Sequence, residues 1–229
     1  MPDDATPDAA AAPDGVRAGH DWRRDARLLR RREVGLVFGS RLVSDLGSGI
    51  APIALAFGVL ELPGADAGDL GLVLFAAAVP RVVFMLLGGV VADRLDRGRL
   101  MVTAEVLAGL AQLLAGVLLL TGTASILWLC VLAAVNGTAF SLFYPAYAGL
   151  VPSLVSDPDD LQSVNALLRL STNVAGILGT ALGGLLVATI GAGPALVVDS
   201  FTFLLSATLI WLLGERARVR DRLELGHPL

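Results

Sequence analysis

Gly88-Gly89-Val90-Val91-Ala92-Asp93-Arg94-Leu95-Asp96-Arg97-Gly98-Arg99 joins two apolar runs, Leu70 to Ala92 and Leu100 to Leu120. Each run is close to the ~20 residues needed to cross a hydrocarbon core. Asp93, Arg94, Asp96, Arg97 and Arg99 crowd their charges between these runs. Charge is costly in lipid and cheap in water, so the stretch reads as a short loop at a membrane surface.

Working outward, four more apolar runs have spanning length: Val34 to Leu60, Ser125 to Tyr147, Leu161 to Ile190 and Ala195 to Leu213. Turns or loops separate them at Glu61 to Asp69, Thr121 to Ala124, Pro152 to Asp160 and Gly191 to Pro194. Backbone groups in lipid must be paired within their own segment, so runs of this length are helices. The expected fold is an all-α membrane protein of six transmembrane helices, arranged as two three-helix repeats. The expected organisation is a disordered, Arg-rich tail over 1–32, a six-helix domain over 33–213 and a second tail over 214–229. Composition agrees: 55% of the 229 residues are hydrophobic and 17% are charged, against about 25% charge in soluble domains. Mean hydropathy is +0.73.

Arginine placement sets the expected orientation, because basic residues collect on the cytoplasmic side. All 17 basic residues are arginine. The N-terminal segment carries Arg17, Arg23, Arg24, Arg27, Arg30, Arg31 and Arg32, and the end of the chain carries Arg216, Arg218, Arg220 and Arg222. The loops after the first, third and fifth runs carry none. This alternation places both termini in the cytoplasm and the protein in the cell membrane.

Several chemistries find no support. Cys130 is the single cysteine, and His20 and His227 are the two histidines. No nucleophile–His pair, metal cluster or phosphate loop can be assembled from the pattern, so neither an enzyme nor a cofactor or metal site is expected. The glycine-rich stretches lie in spans rather than after strands, so no nucleotide site follows, and no nucleic-acid partner is expected.

The charged loop resembles the signature loop between helices 2 and 3 of major facilitator superfamily transporters. Gly89, Asp93, Arg94, Arg97 and Arg99 fit the pattern; its second glycine falls at Asp96, with Gly98 as the alternative bend. Four other stretches resemble the enterobactin-exporter and macrolide-efflux branch: Ser40 to Gly47, Phe143 to Ala146, Leu161 to Leu167 and Asp199 to Phe203. The resemblance implies alternating-access efflux of a small molecule such as a drug or siderophore, coupled to protons. It also implies that Asp93 gates by meeting a helix N-terminus in a second six-helix half. Family members have two such halves. The expectation is that this chain is the N-terminal one, with the start of a central linker. It would be either a truncated, non-transporting membrane partner or a half that joins a second half or itself.

Ionisable residues inside spans are functional candidates by default. Arg41 and Asp45 are four apart and share a helix face. Both line the cavity or neutralise each other. Arg81 and Glu105 stand alone in their spans and either pair together or bind substrate or a proton. Asn136 either lines the cavity or bonds a neighbouring helix. In the fifth span Gly176, Thr180 and Gly184 make one small-residue stripe, and Gly179 with Gly183 a second. Such stripes allow close helix packing. Asn165 with Arg169 is expected at the inner mouth, and Asp199 with Thr202 near the outer end of the last span. The partners expected are the lipid bilayer and a small-molecule substrate.

Overall fold

The computed structural model describes residues 27–155 and 157–224, and within them the side chains other than those of 86–94, 153 and 215–224. Six long helices follow one another: α1 (Arg32–Leu60), α2 (Ala67–Arg94), α3 (Arg97–Leu120), α4 (Ile126–Leu154), α5 (Pro158–Ile190) and α6 (Ala192–Glu224). All six are long and apolar enough to cross a membrane. No strand occurs among the described residues.

Short polar signals set the helix ends. Before α2, Asp66 accepts from the backbone N–H of Gly68 and Asp69, while the Asp69 carboxylate accepts from the N–H of Asp66. This is a reciprocal cap of the orphan N-terminal donors. Asp96 accepts from the N–H of Arg99 at 2.7 Å and starts α3. An aspartate therefore serves where a glycine was expected, and Gly98 lies inside the helix rather than at a bend. Asp157 caps α5, with Pro158 in the first turn, a position where proline's missing N–H costs nothing. The loop expected over Pro152 to Asp160 thus shrinks, because α4 continues through Pro145 and Pro152 to Leu154. Gly191, at φ 90°, takes the chain from α5 into α6, a conformation that other residues rarely adopt. At the other end of the chain α6 runs on beyond its apolar part, Ala192–Gly214, to Glu224. The arginine segment also contributes to the fold. Residues 27–30 form a helical turn that buries Leu28 in a cluster with Val34, Val151, Val164 and Leu213 of α1, α4, α5 and α6.

The large helix interfaces are α3 with α6, α2 with α4, α1 with α6, α1 with α5, and α3 with α4. Exchanging α1–α3 for α4–α6 maps this set onto itself: α1–α5 becomes α4–α2, α1–α6 becomes α4–α3, and α3–α6 is unchanged. The contact pattern is that of two three-helix repeats related by a two-fold axis between α3 and α6, the arrangement of inverted-repeat transporters. It leaves α2 and α5 peripheral. Within their most apolar windows 6% and 17% of residues are buried, against 39–44% in the other four helices. Phe75, Val82, Ile177 and Leu185 stand exposed on these two helices, apolar surface that the bundle does not itself cover.

Glycine allows the two outer helices to come close to their neighbours. A Cβ at Gly179 or Gly183 of α5 would meet the α1 backbone at Leu46 or Ile50. A Cβ at Gly137 of α4 would overlap the Ala77 carbonyl of α2. The other stripe of α5 behaves differently: a Cβ at Gly176 or Gly184 would touch nothing within 4 Å, and the Thr180 hydroxyl donates to the Gly176 carbonyl in its own helix. Gly179→Ala should therefore destabilise the bundle by about 1–3 kcal/mol through overpacking, and Gly184→Ala should not. Thermal unfolding of both variants in detergent checks this difference.

Candidate functional site

Three polar residues within about one turn of α1 each tie it to a different helix. Arg41 lies with its guanidinium carbon 5.4 and 5.2 Å from the ring centroids of Phe143 and Tyr147 on α4, which stack on each other. Ser44 donates to the Glu105 carboxylate on α3, at 3.1 and 3.3 Å to its two oxygens. Asp45 accepts from the Thr172 hydroxyl on α5 at 2.7 Å. Along α1 itself Arg41 and Asp45 form an ion pair at 2.8 Å, with side chains only 11% and 9% exposed. At 1.5 Å per residue, Arg41 and Glu105 sit roughly 12–14 Å along their helices, close to the middle of a ~30 Å core.

These groups open onto one cavity. Arg41, Ser44, Asp45 and Ser48 supply its α1 wall; Glu105 belongs to α3, Asn136, Phe140 and Phe143 to α4, and Phe203 to α6. The mixture of aromatic faces with a few polar groups is typical of small-molecule sites. Apolar clusters lie on either side. One gathers Ile50, Ala54, Leu129 and Leu196; the other gathers Met101, Phe143 and Ile210. Four of the five residues singled out from the sequence, Arg41, Asp45, Glu105 and Asn136, thus line a single space.

Arg81, the fifth, does not pair with Glu105. Its guanidinium lies 3.6 Å from the Phe140 ring centroid, while Glu105 is bonded to Ser44. Asn165 and Arg169 line a wider cleft, shared with Arg41, Tyr147 and Thr172. Asp199 is not at a mouth. It is fully buried seven residues into α6, where it accepts from Gln112 Nε2 of α3 at 2.6 Å and from the Thr202 hydroxyl at 3.2 Å. Gly47 of α1 makes room for it, since a Cβ there would strike Asp199 and Thr202. In the charged loop, the side chains of Asp93 and Arg94 and the surroundings of Gly89 lie outside the described residues. Arg97 donates to the Gly149 carbonyl of α4 at 2.7 Å and so fastens the loop to its own bundle. The Arg99 backbone N–H forms the cap on Asp96.

Sequence reasoning missed Ser44, Gln112, Thr172 and the cavity phenylalanines. Gln112 was within reach, because it stands seven residues after Glu105 and so on the same face of α3. The phenylalanines were not, since a phenylalanine facing lipid and one facing a cavity look alike in a sequence.

The six-helix bundle with charged groups at mid-depth is the arrangement of one half of a facilitator-type carrier. Residues 29–224 match the family model described as transmembrane secretion effector, and the chain belongs to this family of the major facilitator superfamily. It is a multi-pass membrane protein and not an enzyme by family. It is 29% identical over 193 residues to the uncharacterized MFS-type transporter YfiS of Bacillus subtilis, covering 82% of this chain and 44% of that protein. It is 28% identical over 190 residues to the multidrug efflux pump Tap of Mycobacterium tuberculosis, covering 80% and 45%. With the MFS-type transporter YkuC of Bacillus subtilis it shares 25% over 184 residues, covering 80% and 42%. The chain spans less than half the length of these relatives.

The buried ion pair generates a direct test. Removing one partner of such a pair strands a charge and costs about 3–5 kcal/mol, whereas replacing both with apolar groups is often neutral. Arg41→Met and Asp45→Leu should each lower thermal stability strongly, and the double variant should recover most of the loss. A double-mutant cycle in detergent measures this coupling.

Proposed function

We propose that this chain supplies one half of a facilitator-type carrier that exports a small amphipathic molecule across the bacterial plasma membrane in exchange for protons. The convergence of Arg41, Asp45, Glu105 and Asn136 on one mid-depth cavity carries this reading. Charge is too costly in lipid to be gathered there without a use. Glu105 is the coupling residue. Its partner is the neutral Ser44 hydroxyl, so gaining or losing a proton leaves the Arg41–Asp45 pair intact. Phe140, Phe143 and Phe203 receive the apolar body of the substrate.

A second six-helix unit closes the other side of the cavity, and the two units rock against each other. The relatives' greater length supports this, as do the exposed faces of α2 and α5. Asp93, Arg94, Arg97 and Arg99, with Gly89, form the gate between the units. Gly176, Thr180 and Gly184 face the second unit. Both termini lie in the cytoplasm, as the arginine distribution indicates. A single cysteine at Thr123 should react with an impermeant reagent from outside, and one at Asp96 should not.

The functional test is reconstitution into vesicles at low density, with subunits counted by single-molecule bleaching. Dye flux driven by an imposed proton gradient is expected only from particles holding two six-helix units. Glu105→Gln should abolish the gradient dependence while retaining dye binding. Saturable flux from monomers would contradict the two-unit reading. Flux from no assembly would favour a non-transporting membrane partner.

A further inference from the structure

Beside the α4 wall of the cavity, α2 carries a cation that the acids of the cavity do not neutralise. Arg81 is near the middle of α2, and no carboxylate pairs with it among the described residues. Its contact is the face of Phe140, whose ring lines the cavity. The close crossing of Gly137 with Ala77 fixes this register. Arg81 follows Ala77 by one turn on α2, and Phe140 follows Gly137 by nearly one turn on α4. Asn136 lies directly before Gly137 and lines the same cavity, and its Nδ2 is buried without a hydrogen-bond partner. A buried donor left unpaired is costly, and here the donor belongs to a group that borders empty space.

Arg81 is itself exposed and reaches the cavity's edge only through Phe140, outside the lining residues; with Asn136 it gives this side a guanidinium fork and an amide N–H. The α1–α3 side offers the reverse: Arg41 is taken up by Asp45, and Glu105 remains as the carboxyl that no cation pairs among the described residues. Resting on the reading of this cavity as a substrate site, we propose that Arg81 and Asn136 form a carboxylate-binding subsite. The molecule carried is then a zwitterion. Its carboxylate is held by Arg81 and Asn136, its aromatic or apolar body lies on Phe140, and its amine is turned toward Glu105. A planar guanidinium suits a carboxylate because it can give two parallel hydrogen bonds. A carboxylate could also come from an Asp or Glu of a second protein unit. The free Asn136 donor favours the small molecule, because it lies at the cavity rather than on the outer face of α2.

The probes are a diaminoxanthene dye with a free benzoate and its methyl ester, which differ at the carboxylate alone. Binding to the purified chain in nanodiscs is followed by fluorescence anisotropy. The free acid should bind at least about tenfold more tightly than the ester, the effect of one charge-assisted hydrogen bond. Arg81→Gln and Asn136→Ala should each bring this ratio toward one and leave ester affinity in place, which also reports that the variants are folded. Arg81→Lys should keep part of the preference. Equal affinity of the wild-type chain for both dyes would overturn the subsite while the cavity reading stands. Saturable binding of neither dye would overturn the cavity reading and the subsite with it. An unchanged ratio in Arg81→Gln would overturn the role of Arg81 and point to a protein carboxylate as its counter-ion.

Discussion

The Arg41–Asp45 ion pair is the constraint around which the bundle is organised. A charge at mid-membrane must be paired or reach water. Here the two charges meet at 2.8 Å on one face of α1, and each is held by a second helix. Phe143 and Tyr147 of α4 cover the guanidinium, and Thr172 of α5 bonds the carboxylate. Ser44, directly before Asp45 on the same turn, holds Glu105 of α3. Through these contacts α1 fixes the register of three neighbours at the depth where the cavity opens.

Small residues complement this polar layer. Gly47 admits Asp199 and Thr202 of α6, Gly49 faces Gly179 of α5, and Gly137 of α4 receives the α2 backbone at Ala77. Lipid tails give no hydrophobic drive for helices to associate, so close packing and interhelical hydrogen bonds must do so. The bond between Gln112 and Asp199 lies in the α3–α6 interface, which the two-fold pattern of contacts maps onto itself. One polar tie on the axis and one polar layer across the bundle thus hold two repeats together.

Much of this was legible in the sequence, for physical reasons that differ from place to place. Apolar runs of spanning length announce helices directly, and the Arg41–Asp45 pair follows from its spacing of four. Boundaries were less legible around Pro152 and Pro158, because proline marks a break in one context and a first turn in another. Asp199 was misplaced for a related reason. The sixth helix begins at Ala192 rather than at Ala195, and tight packing buries a residue that counting put near a mouth. The seat of Arg81 on Phe140 could not be read at all. It depends on the register of α2 against α4, which the Gly137–Ala77 crossing sets. The split of the glycines on α5 into a packed and an open stripe likewise needed a neighbour in place.

The central claim is that the charged mid-depth layer borders a water-accessible cavity rather than a sealed polar core. Cysteine accessibility in native membranes tests it most directly, in a Cys130→Ser background. Ser48 lines the cavity, whereas Phe201 of α6 is 61% exposed on the apolar outer surface. A small hydrophilic thiol reagent should label Ser48→Cys readily and leave Phe201→Cys almost unlabelled. Equal labelling at both positions, or none at Ser48→Cys, would contradict the account.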